Sequence, residues 1–181
     1  MRLPIPAAAR TVIDGGERLL TYEIAQSTVG ENRIGMTGRP QIIARVHWRL
    51  WRYLNPLNWE TPPIEFDEGV AQRWVAGIGT TGGTDSRATR ARQAMEAVGA
   101  GGGVLVTDRR LLLVALPHGG NPVVHLALPR HDVAEARWRP RLFMAGRVIV
   151  RFTDSSTLAL MCGMLSPFAA RRLRRALSTP S

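Results

Sequence analysis

Arg137, Arg139 and Arg141 alternate along one stretch of chain, and Arg147 and Arg151 recur along the next. A guanidinium is a planar fork of five N–H donors that grips a phosphate or carboxylate through two parallel bonds, so a row of them is chemistry for holding an anion. Both stretches alternate like strands. Matching apolar to apolar sets Leu142 against Val148 and Trp138 against Phe152, which places Arg139 opposite Arg151 with Arg137, Arg141 and Arg147 as neighbours. Like charges face to face weaken a strand pair, and a bound anion would relieve them. A solvated outer face with Glu135 as counter-charge accounts for the same residues without a ligand.

A second basic cluster, Arg171, Arg172, Arg174 and Arg175, falls on the outward side of a helix predicted over 167–177, with Ala169, Ala170, Leu173 and Leu177 inward. It suits phosphates of nucleic acid or an acidic membrane, or else a solvated face near the negative end of the helix dipole. No aromatic residue interleaves with these arginines, so base stacking is not suggested. A third cluster mixes Trp48, Trp51, Tyr53 and Trp59 with Arg45, Arg49 and Arg52. Arg45, Arg49, Trp48 and Trp51 fit a membrane interface, while core packing of the rings is the simpler account.

Other motifs carry less. Gly77-Ile78-Gly79-Thr80-Thr81-Gly82 matches G-x-G-x-x-G, but Gly83 stands where a phosphate loop needs lysine, and Asp108 fits a hairpin turn better than a ribose ligand. A nucleotide-binding enzyme using residues 77–83 is therefore an alternative, and a Gly/Thr-rich loop the default. His118, His125 and His131 lack metal-site spacing. No Ser or Cys stands in a nucleophile-elbow context. Glu65, Asp67 and Glu68 read as a solvated acidic loop. No cofactor, metal or catalytic group is expected.

The formal charge is +10, and all 24 basic residues are arginine. Residues 1–100 hold 12 arginines against 10 acids, while residues 101–181 hold 12 against 4, so the basic field belongs to the second half. Such a field attracts nucleic acid, acidic headgroups or an acidic protein face. The lone Cys162 sits in an apolar run and reads as a buried thiol. No stretch has signal-peptide character or the ~20 apolar residues that span a bilayer, so a cytoplasmic chain, at most peripheral to a membrane, is expected.

The positioning elements follow from pattern. Glu17–Ile24 reads as a strand with Leu20, Tyr22 and Ile24 on one face and Thr21 and Glu23 on the other. Gln41–Leu50 is ambiguous between helix and strand. Asp85–Val98 reads as a helix capped by Asp85 and stopped by Gly99, burying Ala88, Ala91, Met95 and Val98. Val104–Val106 and Leu111–Leu116 flank the turn Thr107-Asp108-Arg109-Arg110. Strands at 123–128, 133–142, 147–153 and 157–161 come next, the last two joined by Asp154-Ser155-Ser156. Ser166-Pro167 opens the final helix.

Gly103-Val104-Leu105-Val106-Thr107-Asp108-Arg109-Arg110-Leu111-Leu112-Leu113-Val114 resembles the "LxVTxxRLLL" hairpin of bacterial pleckstrin-homology-like (PH-like) and GRAM-type domains. Arg147–Asp154 is similar to their late strand pair. The resemblance covers 103–178 well and the first strand loosely. It implies one mostly β (α+β) domain over 1–181: a seven-stranded antiparallel barrel closed by a C-terminal helix, with 30–102 as a partly helical insertion between the first two strands. It also implies a non-catalytic binding platform for lipid, peptide or self-association. The expected partner is an acidic phospholipid headgroup or acidic protein surface, with nucleic-acid binding through the basic half as an alternative. The insertion replaces the loop that binds phosphoinositides in eukaryotic members, so those ligands do not transfer.

Overall fold

The computed structural model describes residues 7–27, 31–35, 77–99, 102–116, 121–141, 144–163 and 167–179. Ten strands are present among them: β1 (Leu19–Ile24), β2 (Gln26–Ser27), β3 (Glu31–Ile34), β4 (Ile78–Gly82), β5 (Gly102–Thr107), β6 (Arg110–Ala115), β7 (Val123–Pro129), β8 (Val133–Trp138), β9 (Arg147–Phe152) and β10 (Thr157–Met161). The helices are a short α1 (Ala7–Arg10), α2 (Arg87–Val98) and α3 (Pro167–Ser178).

The hairpin of β5 and β6 forms around the turn that the sequence marks. Thr107 Oγ1 accepts from the amides of Arg109 and Arg110, which closes the turn, and Asp108 Oδ1 accepts from the amide of Arg18. The continuous apolar runs are used on both faces, as expected for a strand buried on two sides. Val104, Val106, Leu111 and Leu113 enter the main core, whereas Leu105, Leu112 and Val114 pack with Ala9, Val12 and Ile13 from the N-terminal segment. Gly103 lies beneath the Tyr22 ring; a Cβ there would meet that ring at 2.3 Å.

The strands lie in two sheets, ordered β1-β5-β6-β7 and β3-β4-β10-β9-β8, with β2 also on β10. The expected seven-stranded barrel closed by a C-terminal helix is therefore not the architecture. β1 and β2 carry the chain from the first sheet into the second at the fully buried Ala25. On the opposite side the two sheets stay apart. Pro129 has no N–H to extend a ladder and ends β7, a 3-10 turn at Arg130–Asp132 leads away, and among the described residues β7 pairs with β6 and β8 with β9, with no ladder between β7 and β8. The outer edge of β10 is occupied by β4 and β2. β4 and α2 come from the later part of the 30–102 stretch, and they build the second sheet and the shared core.

Helix α2 starts where Ser86 caps the amide of Thr89, one residue beyond the expected Asp85, and ends at Gly99, whose amide reaches Met95 O. Ala88, Thr89, Ala91 and Met95 form its buried stripe, and Val98 is only partly buried. Helix α3 buries Ala170, Leu173, Ala176 and Leu177 beneath the second sheet and β1. Its last turn is clamped by Arg130, which is 6% exposed and donates through Nη2 to Ala176 O (2.8 Å) and Thr179 O (3.3 Å). Those carbonyls have no partner within the helix and carry the negative end of its dipole, so the guanidinium satisfies both needs.

Candidate anion-binding surface

The β8–β9 ladder sets the geometry of the arginine row, and its register differs from the expected one. Trp138 faces Val148, Ala136 faces Val150 and Glu135 faces Arg151, with a bulge between Val133 and Glu135. The bulge makes Ala134 an exposed extra residue and shifts the strand relative to simple alternation. β8 ends at Trp138: Arg139 N still donates to Arg147 O (3.0 Å), but Pro140 has no N–H to carry the ladder further. Because Trp138 meets Val148 rather than Phe152, Arg139 falls beside Arg147 and not opposite Arg151. Instead Glu135 lies among the arginines: Arg137 Nε donates to its Oε1, and Arg151 Nε approaches Oε2 at 4.0 Å. The hydrogen bond from Arg137, helped by the charges of Arg137, Arg151 and Arg139, holds the Glu135 carboxyl below its ordinary range against the opposing effect of burial. Glu135 thus offsets part of the positive charge in this stretch of the row.

Arg147 behaves differently. It is 2% exposed, and its Nη2 donates to Ile78 O (2.7 Å) and its Nη1 to Arg139 O (3.4 Å), while Nε has no partner. Burial, and secondarily the charge of Arg141, pushes its pKa down. Arg141 is exposed and comes close to Arg147 beside Gly77.

The α3 cluster divides in two. Arg172 turns inward rather than out: it forms a two-pronged ion pair with Glu23, which also accepts from Thr21 Oγ1. Glu23 and Thr21 are buried, so the polar side of β1 is the one that α3 covers. Arg171, Arg174 and Arg175 remain exposed. The Arg171 guanidinium stacks 4.5 Å over the Trp138 ring, a cation–π contact. Trp138 is itself fixed by its Nε1 donating to Ala145 O (2.7 Å). Trp138, Arg171, Arg174 and Arg175 line an open depression of about 210 Å³. Phe168, 66% exposed, stands one helical turn before Arg171 on the same face. Trp138 reads in the sequence as one more apolar position of a strand; its meeting with α3 links residues too far apart in the chain for local pattern to show.

The glycine motif is not a phosphate loop. Ile78–Gly82 is strand β4, pairing with β10 and β3. The first-turn amides of the helix that follows already have acceptors: Arg87 N donates to Asp154 Oδ2, Ala88 N to Ser156 Oγ and Thr89 N to Ser86 Oγ. The carboxylate of Asp154 thus occupies the position where a helix N-terminus would hold a phosphate. Arg45, Arg49, Trp48 and Trp51 lie outside the described residues, as do His118 and the acidic cluster at 65–68. Among the described residues, no group of three or more His, Cys, Asp or Glu side chains is placed to share a metal ion.

Compared with known proteins, the chain matches no family model, no curated protein and no solved structure.

Proposed function

We propose that this chain is a non-catalytic binding module that docks on anionic phospholipid headgroups through the exposed face of α3 and Trp138. The observation that carries the reading is the depression lined by Trp138, Arg171, Arg174 and Arg175, whose three arginines have no carboxylate partner among the described residues. Arginines facing solvent without acids favour an anionic partner, and the exposed Phe168 beside them supplies an apolar group for the headgroup boundary. The resemblance of 103–114 to the hairpin of PH-like and GRAM-type domains supports a binding platform as the functional class. Among the described residues no helix is long and apolar enough to cross a membrane. The contact proposed is peripheral, at a leaflet rich in acidic lipid such as the one facing the cytoplasm.

Co-sedimentation with vesicles tests the reading. Binding is expected to phosphatidylcholine vesicles that contain phosphatidylglycerol, to be absent with phosphatidylcholine alone, and to weaken with salt. Near such a surface each arginine contributes about 1 kcal/mol, so R171Q/R174Q/R175Q is expected to bind ~100-fold more weakly. Equal binding to neutral vesicles, or an unaffected triple variant, overturns the proposal. Salt-steep binding to DNA or RNA without vesicle binding also overturns it, in favour of a nucleic-acid partner.

A further inference from the structure

We infer that Arg141 and Arg147 form a second, separate site that holds one phosphate-type oxyanion beside Gly77. The position that a Cβ would take on Gly77 is 3.3 Å from Arg141 Nη2 and 3.3 Å from Arg147 Nη2. The two guanidinium groups therefore approach to within twice that distance. One oxyanion making a charge-assisted bond of about 2.8 Å to each covers such a span. Gly77 has φ +75, and a Cβ there would crowd both guanidinium groups, so the missing side chain lets them come together at this point.

The charge balance makes the case. Arg147 is 2% exposed, and its two bonds go to uncharged carbonyls, so its charge is buried without an anion among the described residues. Its Nε is a further buried donor with no acceptor. An uncompensated buried charge is costly, and an arginine does not escape by losing its proton. Among the described residues, Arg141 adds repulsion to it. A dianion between them cancels both charges and offers an acceptor to the arginine fork. A phosphate monoester matches that charge better than a single carboxylate.

The site is also apart from the proposed lipid-binding face. Val148, Val150 and Phe152 of β9 point into the core, so Arg147, Ile149 and Arg151 lie on the opposite side of the sheet. Trp138, paired with Val148, is on the core side with α3.

The test is thermal unfolding of the full chain in inorganic phosphate, compared with chloride and sulfate at matched ionic strength. Glycerol 3-phosphate and vesicles containing phosphatidic acid separate a soluble source of the phosphate from a lipid one. A saturable rise in Tm with phosphate is expected, and sulfate, also a tetrahedral dianion, is expected to give a saturable rise of its own that chloride does not. R141Q is expected to keep the Tm measured in chloride and to bind phosphate roughly tenfold or more weakly. R147M should lose the phosphate effect as well, and R90Q, an exposed arginine elsewhere, should retain it. R141Q should still sediment with phosphatidylglycerol vesicles, so failure here and failure of the lipid reading are distinguishable. An unsaturable rise shared with sulfate is general salt exclusion and overturns the site. So does a phosphate response that R141Q leaves intact.

Discussion

Arg172 in α3 grips Glu23 in β1 across 149 residues of chain, with Nε 2.6 Å from Oε1 and Nη2 2.8 Å from Oε2. The two partners are unequally exposed: Glu23 has a side-chain exposure of 2% and Arg172 of 29%. Removing the arginine strands a carboxylate that water cannot reach. Removing the carboxylate leaves an arginine that can rehydrate. R172A is therefore expected to lose about 3 kcal/mol and E23Q only about 1–2 kcal/mol, while E23L/R172M recovers most of the loss. Urea unfolding of the three variants measures this. Equal losses for the two single variants contradict the asymmetry.

Arg130 tethers the end of the helix that presents the basic face. Burial lowers its pKa, and its Nη2 bonds hold the carbonyls of Ala176 and Thr179. R130M preserves most of the volume and removes the donors. The expected cost is about 2 kcal/mol by urea unfolding. Hydrogen exchange should speed up first in the last turn of α3, at Ala176–Thr179. A uniform increase over the whole chain would show that the residue does not act as a local clamp.

Much of this organisation is legible in the sequence, and the failures share a cause. The limits of α3, the hairpin of β5 and β6, and the Asp154-Ser155-Ser156 turn follow from short-range pattern. The pairing of β8 with β9 does not: Trp138 meets Val148 rather than Phe152, a slip of four residues along β9 that puts Glu135 opposite Arg151 and brings Arg139 to Arg147. Local pattern sets Thr21 and Glu23 on one face of the strand but does not show that this face is buried, because Arg172, the partner of Glu23 there, arrives from the far end of the chain. Barrel closure fails similarly. It depended on which edges meet, and the edge of β10 is claimed by β2 and β4. Of the nine arginines read as candidate anion ligands, Arg171, Arg174 and Arg175 converge with Trp138, Arg141 pairs with Arg147, and Arg172 becomes structural.

Asp154 makes the start of α2 sensitive to acid. Burial alone would raise its pKa, but hydrogen bonds from the Ser156 hydroxyl and from the amides of Arg87 and Ser156, with the charge of Arg87, hold it below the ordinary range. A carboxylate with a depressed folded-state pKa binds fewer protons in the native state. Its stabilisation is present above the ordinary value of about 4 and is lost as pH falls below it. Urea midpoints should therefore drop in that acid window. D154N is expected to be about 1 kcal/mol less stable at neutral pH, with a flatter acid limb. An unchanged acid limb in D154N would rule out this carboxylate as the cause.

Cys162 should respond at the opposite end of the pH scale. It is 2% exposed, and burial, reinforced by the charge of Glu23 and partly offset by Arg172, pushes its thiol up to about 12. Two consequences follow. The thiol should resist iodoacetamide at about pH 8 in the folded chain, reacting only as fast as the surrounding structure opens. The native state also holds its proton longer than the unfolded chain does, so stability is intact below the ordinary thiol value and falls as pH rises towards about 12. The expected loss due to this group is about 2 kcal/mol between neutral pH and pH ~10.5. Tyr22, whose pKa burial also raises, adds to the alkaline limb, so the contribution of the thiol is read from the difference between the native chain and C162S. If C162S shows the same alkaline decline, the decline belongs to Tyr22 and other groups, and the thiol has no part in it.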